Sequence, residues 1–351
     1  MRYWDLNGPA AGAGGATPSG TWGTDANWST NRQGNGPGPN QGWQANHAVF
    51  AVLNDAVGAY TVTVDGTQPV GDIHFDYGTV TVQGGTLELD GPANNPETRL
   101  ISVFDGNIAF MNTPLVNRFA DGVMRLRKYK RGTLVLGGAN IYSGNTEIVG
   151  GTIRLGAADR LPDTSNLILA NGGQDNIFDT PATFDTGGFS ETMGTLQVTG
   201  ADAKIDFGSG ASALVFADSD SQDWSGLNLA IANFTPGIDS LRIGIDGTGF
   251  DTQLALILFT DFNNASGKID AAGFITPNLP VFLSIQRTGV ASIDLTWTTI
   301  PGRTYRIQYK TNLNDVGWTD IVPDISAGDI TASATDTAAT SEERYYRVLL
   351  L

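Results

Sequence analysis

The sequence predicts an all-β fold: a right-handed parallel β-helix with an N-terminal cap and a small C-terminal β-sandwich. Glycine is abundant at 45 of 351 residues, and only 16% of the residues are charged, against about 25% in an average soluble domain. Thr, Ser, Asn and Asp supply much of the polarity, and they suit strand faces and turns. Short alternations of apolar and polar residues recur about every 15–25 positions, which is typical of coils that stack on one another.

Charge and residue types exclude several classes of function. With 20 Lys and Arg against 36 Asp and Glu, the net charge of −16 repels nucleic-acid phosphates and anionic membranes. There is no cysteine, which excludes disulfides, thiolate metal sites and cysteine nucleophiles. No stretch approaches the roughly 20 apolar residues of a membrane span. Residues 1–5 lack the pattern of a signal peptide, so we expect an exported form to have lost its leader.

Residues 1–47 form the predicted N-terminal cap. Residues 5–46 are dense in Gly, Pro and Asn, yet they contain Trp22, Trp28 and Trp43. Tryptophans need burial, and low-complexity linkers rarely carry so many of them. The pattern therefore predicts an irregular but packed segment.

Residues 48–280 are predicted to form the β-helix, in roughly eight to eleven coils. Residues 60–64 alternate with period two and end at a turn. Residues 132–137 (GTLVLG) recur nineteen positions later at 151–156 (GTIRLG). Each coil buries its apolar face only when it stacks on its neighbours, and glycine allows the sharp bends between strands.

The two repeats predict how neighbouring strands align. Leu134 should lie opposite Ile153, within one or two positions, if one repeat stacks on the other. The alternation places one set of side chains outward and the other inward. The predicted outward residues are Thr133, Val135, Thr152 and Arg154, and the inward ones are Leu134, Leu136, Ile153 and Leu155.

Two charged segments interrupt the pattern. Residues 125–131 (RLRKYKR) are predicted to be an outward strand face, formed by Arg125 and Arg127, that leads into a charged turn. A patch for anionic glycans or a cell surface is the alternative. Residues 218–223 (DSDSQD) are predicted to be a plain turn. Ca²⁺ binding is the alternative, and it is less favoured because Ca²⁺ needs about six converging oxygens.

Residues 281–351 predict a separate small β-sandwich of Ig or fibronectin type. Trp297 alternates with aliphatic residues and is predicted, with Tyr305, to lie in its core. The predicted linker runs from Pro277 to Pro280. The clearest strands of this part are residues 292–297, 304–309 and 345–349.

Several segments resemble known families. Residues 132–156, GTLVLGGANIYSGNTEIVGGTIRLG, resemble the autotransporter-associated β-strand repeat, which occurs in the β-helical passengers of secreted bacterial surface proteins. Residues 3–8 (YWDLNG) look like the usual start of such passengers, and residues 216–239 are similar to their end in proteins with PEP-CTERM sorting tails. Residues 302–348 resemble a C-terminal module of exported verrucomicrobial and planctomycete proteins. These resemblances imply a secreted or cell-surface location more than any one activity.

We therefore expect a structural or adhesive bacterial protein that acts through self-assembly, as a filament or surface layer, or through surface contact. A solenoid has two ends, whose strand edges and apolar surface must be capped or joined to something. The alternative is that both ends cap their own monomer. The residues predicted for an assembly interface are Tyr3, Trp4, Trp22, Trp28, Trp43, Tyr345, Tyr346, Leu349 and Leu350.

A polysaccharide-binding module and a polysaccharide-degrading β-helix enzyme stay open as alternatives. For glycan binding, Trp318 is the candidate exposed ring. The two histidines, His47 and His74, lie near no nucleophile-elbow motif, and His74 is predicted to be a surface residue. We assign no catalytic residue and predict no cofactor, with Ca²⁺ at residues 218–223 as the alternative. The carboxylate pairs that glycoside hydrolysis could use are Asp202 with Asp206 and Asp72 with Asp76.

Overall fold

The protein is all-β with stacks of parallel strands. The only helices in the described part of the chain are α1 (Asp251–Leu254) and one 3₁₀ turn (Thr260–Phe262). Over the same residues, no helix combines the length and apolar character needed to cross a membrane. The computed structural model describes residues 1–35, 40–44, 46–50, 55–90, 97–120, 122–170, 181–341 and 343–351.

The chain divides into two compact units. The first comprises Met1–Leu258 and Gly267–Thr276, and the second comprises Phe259–Ser266 and Pro277–Leu351. The finer division, into a cap over 1–47, a β-helix over 48–280 and a sandwich over 281–351, stays a prediction.

Three sheets carry most of the first unit. The first sheet contains β1 (Arg2–Trp4), β3 (Trp28–Ser29), β4 (Ala48–Phe50), β7 (Ile73–Phe75), β10 (Glu97–Val103), β13 (Met124–Tyr129), β15 (Thr146–Ile148), β17 (Leu167–Leu169) and β20 (Leu196–Val198). The second contains β2 (Gly20–Trp22), β5 (Ala59–Val64), β8 (Thr79–Gln83), β11 (Ile108–Met111), β14 (Thr133–Leu136), β16 (Gly151–Leu155), β18 (Ala182–Asp185), β19 (Glu191–Met193), β21 (Ala203–Asp206), β22 (Ala213–Phe216), β23 (Leu229–Ala232), β24 (Ser240–Ile243), β25 (Ile257–Phe259), β26 (Ala265–Ile269) and β27 (Phe274–Pro277). The third contains β6 (Thr67–Val70), β9 (Thr86–Leu89) and β12 (Leu115–Asn117).

Successive strands of these sheets stack in parallel as the chain advances. In the first sheet, β4, β7, β10, β13, β15, β17 and β20 pair in this way. In the second sheet, β14 pairs with β16 in the predicted register, with Leu134 opposite Ile153 and Leu136 opposite Leu155. The predicted alignment of the two repeats is therefore confirmed.

The register stacks apolar side chains into continuous inward rows. Each fully buried Val, Leu, Ile or Phe stabilises the fold by about 1.5–3 kcal/mol relative to an exposed position. No single strand could bury this surface alone, so each strand depends on its neighbours in the stack. The row through the second sheet is Tyr60, Val80, Ala109, Leu134, Ile153, Phe184, Ile205 and Ile231, and all eight are buried.

Gly151, at the start of the second repeat, shows why glycine is needed at a bend. Its φ of +68° lies in the left-handed region. A Cβ at this position would come within 2.5 Å of the Lys130 carbonyl oxygen and 2.6 Å of the Gly132 carbonyl oxygen. Only a residue without a side chain fits both the backbone conformation and the space.

Lys128 is the exception in the inward row of the first sheet. It aligns with Ile101 on one side and Ile148 on the other, and it is fully buried. Its Nζ donates hydrogen bonds to the carbonyls of Tyr129 (3.1 Å), Lys130 (2.7 Å) and Gly150 (3.2 Å). Burial lowers the pKa of Lys128 to about 7.

The basic run at 125–131 is therefore not uniformly a solvated face. Arg125 is exposed and Arg127 pairs with Glu147 at 2.8 Å, as an outward strand face predicts. Lys128, by contrast, has the parity of buried Met124 and turns into the core. The alternation of the strand therefore already predicted that Lys128 faces inward.

Tryptophans fill the N-terminal part of the first unit. Trp4, Trp22 and Trp28 are buried, and the ring centroid of Trp28 lies 5.1 Å from that of Trp4 and 5.0 Å from that of Trp22. Trp43 contacts the same cluster at 4.6 Å from Trp28. The Trp4 indole donates to the Pro18 carbonyl at 2.7 Å. The segment is irregular yet packed, as expected from its composition.

The second unit contains two three-stranded antiparallel sheets that share one core. Trp297 and Tyr305 are buried there, as predicted, together with Leu295 and Ile307. The Tyr305 hydroxyl accepts a hydrogen bond from the Ile300 amide at 2.7 Å. The strands are β28 (Phe282–Gly289), β29 (Ser292–Thr298) and β32 (Thr331–Asp336) in one sheet, and β31 (Thr319–Ser326), β30 (Thr304–Lys310) and β33 (Tyr345–Leu350) in the other.

Candidate binding surface

A groove lies on the outward face of the first sheet. Its floor is a row of side chains in register on β4, β7 and β10: Val49, His74 and Ser102. Tyr3 on β1 continues the row at one end, and Tyr129 on β13 continues it at the other. Because adjacent strands are about 4.8 Å apart, the two tyrosines lie about 19 Å apart along the row. We call this feature the first-sheet groove.

The next positions along the strands complete the groove. Leu100 and Phe104 lie two residues before and after Ser102 on the same outward face, and Asp76 lies beside Phe104. The cavity has a volume of about 320 Å³. This is at the small end of the range for ligand pockets, about 300–1,000 Å³. The remaining lining residues are Met1, Arg32 and Lys130.

His74 and Ser102 form a hydrogen bond across the floor. His74 Nδ1 lies 2.7 Å from Ser102 Oγ, although the two residues are 28 positions apart in the sequence. Burial lowers the pKa of His74, and the nearby Asp72 carboxylate opposes this only in part. His74 points outward, as predicted from its flanking residues, but it is half-buried and neutral at pH 7.

Asp76 provides an unsatisfied acceptor in the groove. Its Oδ1 is buried and has no hydrogen-bond partner within the described ranges. Burial raises the pKa of Asp76, while the positive charges of Arg32 and Lys130 act in the opposite direction. A buried carboxylate oxygen without a donor is energetically costly, so a ligand hydroxyl that donates to it would be favourable.

Asp72 has a structural role beside the groove. Its amide donates to His47 Nδ1 at 2.9 Å, and its Oδ1 accepts from the Leu100 amide at 2.9 Å. His47 Nδ1 also lies 3.1 Å from Asp72 Oδ2. Of the predicted carboxylate pair, Asp72 contacts His47 and the Leu100 amide, whereas Asp76 has a buried oxygen without a hydrogen-bond partner among the described residues.

In the second predicted carboxylate pair, Asp202 and Asp206, the structure surrounds Asp206 with hydrogen-bond donors. Asp206 accepts hydrogen bonds from Asn233 Nδ2 (2.6 Å) and Lys204 Nζ (3.0 Å). Burial favours a higher pKa for Asp206, but these donors and the Gly208 amide outweigh it and lower the pKa. A general acid needs a raised pKa instead.

The His74–Ser102 contact does not extend to a catalytic triad. Across the part of the chain that is described, no carboxylate oxygen hydrogen-bonds to His74. A triad needs such a group to orient the imidazole.

The N-terminal residues predicted for an assembly interface differ in their accessibility. Trp4, Trp22 and Trp28 are buried within their own unit, whereas Tyr3 and Trp43 are half-buried. The three buried rings would become accessible only if this part of the chain opened. Their assembly role stays a prediction.

The C-terminal residues predicted for that interface also make contacts inside their unit. Leu350 is buried in the core, and the Tyr346 hydroxyl donates to Asp336 Oδ2 at 2.8 Å. Asp336 is further paired with buried Arg344. Tyr345 and Leu349 are half-buried. The interface at these residues stays a prediction.

Trp318, the predicted glycan-stacking ring, is flanked by two cations. Lys310 Nζ lies 4.9 Å and the Arg347 guanidinium 4.5 Å from its ring centroid. Cation–π contacts of this kind use the ring face that a sugar would need. A sugar would therefore compete with these cations, and a glycan role for Trp318 stays a prediction.

The acidic loop lines a separate polar cavity. Residues 220–226 surround a volume of about 460 Å³, and Gln253 Nε2 donates to the carbonyls of Asp220 (3.3 Å) and Gln222 (2.8 Å). In the described ranges, no group of three or more His, Cys, Asp or Glu side chains is placed to hold a metal ion. Binding of Ca²⁺ by this loop stays a prediction.

Sequence reasoning alone missed the groove as a unit. Ser102 and Tyr129 belong to no recognisable motif, and only the strand register brings them beside His74. Asp76 was noted for its closeness in sequence to Asp72, not for its unsatisfied oxygen. A correct alignment of β7, β10 and β13 would have been the one useful signal.

Comparison with known proteins gives one informative match. The adhesin BmaC autotransporter of Brucella suis biovar 1 (strain 1330) is 37% identical over 173 residues, which cover 49% of this chain. The same stretch covers only 5% of the Brucella protein. No family model matches the chain, and no solved structure matches it. Half of the chain is therefore similar to a small part of an autotransporter adhesin.

Proposed function

We propose that the chain is a secreted or cell-surface bacterial protein with an adhesive role. Its parallel strand stacks would be the coils of a right-handed β-helix, and its second unit an Ig- or fibronectin-like module. The likeness to the Brucella adhesin carries this proposal. The Brucella protein is an adhesin by its name, and the adhesive role of this chain is inferred from that. The matched stretch covers about half of this chain and 5% of the Brucella protein.

The architecture of the first unit supports an adhesive surface. Parallel strands in register repeat their outward side chains about every 4.8 Å, so the outward face of the first sheet is a regular array held by a packed core. A preorganised array loses little conformational entropy when it binds another surface. The first-sheet groove is a concave feature on that face.

Adhesion can be tested with the full chain coupled to beads. Beads would be exposed under flow to monolayers of mammalian cells, to bacterial cells and to immobilised extracellular-matrix proteins. We expect retention on at least one surface well above that of beads carrying the heat-denatured chain. Equal retention on every surface would contradict an adhesive role.

Self-association is a second candidate function, and an edge strand favours it. Among the residues that the structure describes, β28 pairs only with β29, so one edge of this strand has no partner there. Leu283 and Ile285 on this strand are 58% and 52% exposed. An open edge with exposed apolar side chains can pair with a strand of another chain.

Analytical ultracentrifugation tests self-association directly, because it measures the oligomeric state of the chain. The native chain should form oligomers in a concentration-dependent way if β28 mediates pairing, and Ile285→Lys should shift it to monomer because a charge blocks edge pairing. Val316→Lys, at a fully exposed position, is the matched control. A native chain that remains monomeric at all accessible concentrations would contradict self-association.

A further inference from the structure

We propose that the first-sheet groove binds one uncharged hexopyranose unit of a surface glycan. This inference rests on the proposed adhesive function and names its ligand class. It is carried by three features of the groove: its aromatic and aliphatic walls, its unsatisfied carboxylate oxygen and its balance of charges.

The walls suit the apolar face of a sugar ring. Tyr129 and Phe104 provide rings and Leu100 an aliphatic chain around the floor. A pyranose presents C–H groups on its faces and hydroxyls around its edge, so a ring face can pack on these side chains while the edge points to polar groups. Phe104 has 39% of its surface exposed. Lys130 Nζ lies 5.1 Å from the Phe104 ring centroid and 5.3 Å from that of Tyr129, so a sugar would compete with this cation for the two rings, as at Trp318.

The polar groups of the floor match sugar hydroxyls. Asp76 Oδ1 needs a hydrogen-bond donor, and each sugar hydroxyl supplies one. Ser102 engages His74 Nδ1, which leaves Nε2 of the neutral ring to a second hydroxyl. A hydroxyl can both donate and accept, so it fits whichever tautomer His74 adopts.

The charges around the groove favour a ligand without net charge. Arg32 and Lys130 lie near Asp76, the amino group of Met1 lies near His74, and these three positive charges oppose a cationic ligand. The Asp76 carboxylate and the net charge of −16 oppose an anionic one. An uncharged polyhydroxyl compound avoids both repulsions and still offers the donors that Asp76 needs.

The test uses methyl glycosides of glucose, galactose and mannose, each added to the full-length chain at about 10 mM to detect millimolar affinities. Binding would be followed through the ring-proton NMR signal of His74 and through saturation transfer to the sugar. We expect at least one glycoside to bind, with transfer from aromatic protons of the groove. Methyl glucuronide and glucosamine, which are charged, should bind at least tenfold more weakly, about the effect of one lost hydrogen bond.

Variants assign the binding to the groove. Asp76→Asn should weaken the best glycoside at least about tenfold, because it removes a charged acceptor. Phe104→Ala, at an exposed position that tolerates truncation, should weaken it several-fold even if Asp76→Asn misfolds. Glu88→Gln changes an outward carboxylate on β9, in another sheet, and should leave binding unchanged.

Several results would overturn the inference. The inference fails if none of the neutral glycosides binds, or if the charged sugars bind more tightly than the neutral ones. It also fails if Asp76→Asn and Phe104→Ala both bind the best glycoside with native affinity. If beads carrying the native chain still adhere in such a case, the adhesive role stands and only the ligand class is wrong. If neither sugars nor surfaces are bound, both proposals fail.

Discussion

His74 Nδ1 lies 2.7 Å from Ser102 Oγ, and the two side chains belong to neighbouring parallel strands. The contact exists because β7 and β10 stack in register, and it brings a titratable ring to the floor of a groove between two tyrosines. A stack of short strands can thus assemble a polar site from residues that are far apart in the chain. The same stacking places a lysine in the core at Lys128.

The first prediction concerns the titration of His74. Burial lowers its pKa, His47, Lys130 and the amino group of Met1 act in the same direction, and Asp72 opposes them. Because the folded pKa is below the unfolded value, His74 contributes stability at higher pH and loses it as the pH falls below about 6.5. An NMR titration should place its midpoint below 6.5. His47→Gln would assign the two histidine signals, and a midpoint above 6.5 would contradict the burial that we describe.

The second prediction concerns Lys128. Its pKa of about 7 lies far below the ordinary value of 10.5, so the unfolded chain holds the proton more tightly. Raising the pH from 7 to 9.5 should therefore increase the free energy of unfolding through this group by about 3 kcal/mol. Urea denaturation should show that gain in the native chain relative to Lys128→Met, which cannot titrate. Parallel pH profiles of the two proteins would mean that Lys128 is solvated.

The third prediction concerns Glu191. It is buried and accepts hydrogen bonds from the amides of Arg160 (2.7 Å) and Leu161 (3.1 Å), and burial raises its pKa to about 7. A raised pKa contributes stability at low pH that is lost as the pH rises through about 7. From pH 5 to 8, the native chain should lose about 2 kcal/mol relative to Glu191→Gln. Glu191→Ala should cost about 2–4 kcal/mol at pH 6, because two amides lose their acceptor.

The fourth prediction concerns the core of the second unit. Trp297 is fully buried beside Tyr305 and Leu295, so Trp297→Ala should lower the free energy of unfolding of this unit by about 3–5 kcal/mol. Scanning calorimetry would measure the loss, with Val316→Ala at an exposed position as the control. A loss below about 1 kcal/mol would mean that Trp297 is not a core residue.

Local patterns in the sequence predicted much of the fold. Period-two alternation and the repeat at 132–156 were enough to place Leu134 opposite Ile153. Of the residues predicted to be outward, Val135 is wrong, because it is buried although it lies on the opposite face of its strand from Leu134. The burial of Trp297 and Tyr305 followed from the same parity argument. These features depend on neighbours along the chain or on one short repeat, so they can be read without knowing the rest of the structure.

The groove could not be predicted in this way. It depends on the register between strands that are separated by loops of different lengths, and no repeat relates β7, β10 and β13. His74 and Ser102 also look unremarkable in their own strands, where each is one polar residue between two apolar ones. Lys128 was missed for another reason, since a basic run suggests solvent even where the strand parity turns one member inward.

The measurement that tests the account most directly compares the adhesion of two variants of the full chain. Beads carrying Asp76→Asn and beads carrying Glu88→Gln would be placed under the same flow on the surface that retains the native chain. If the first-sheet groove is the adhesive contact, Asp76→Asn beads detach at a much lower shear than native beads, and Glu88→Gln beads detach at the native value. Equal detachment of all three would contradict the claim that adhesion depends on the groove.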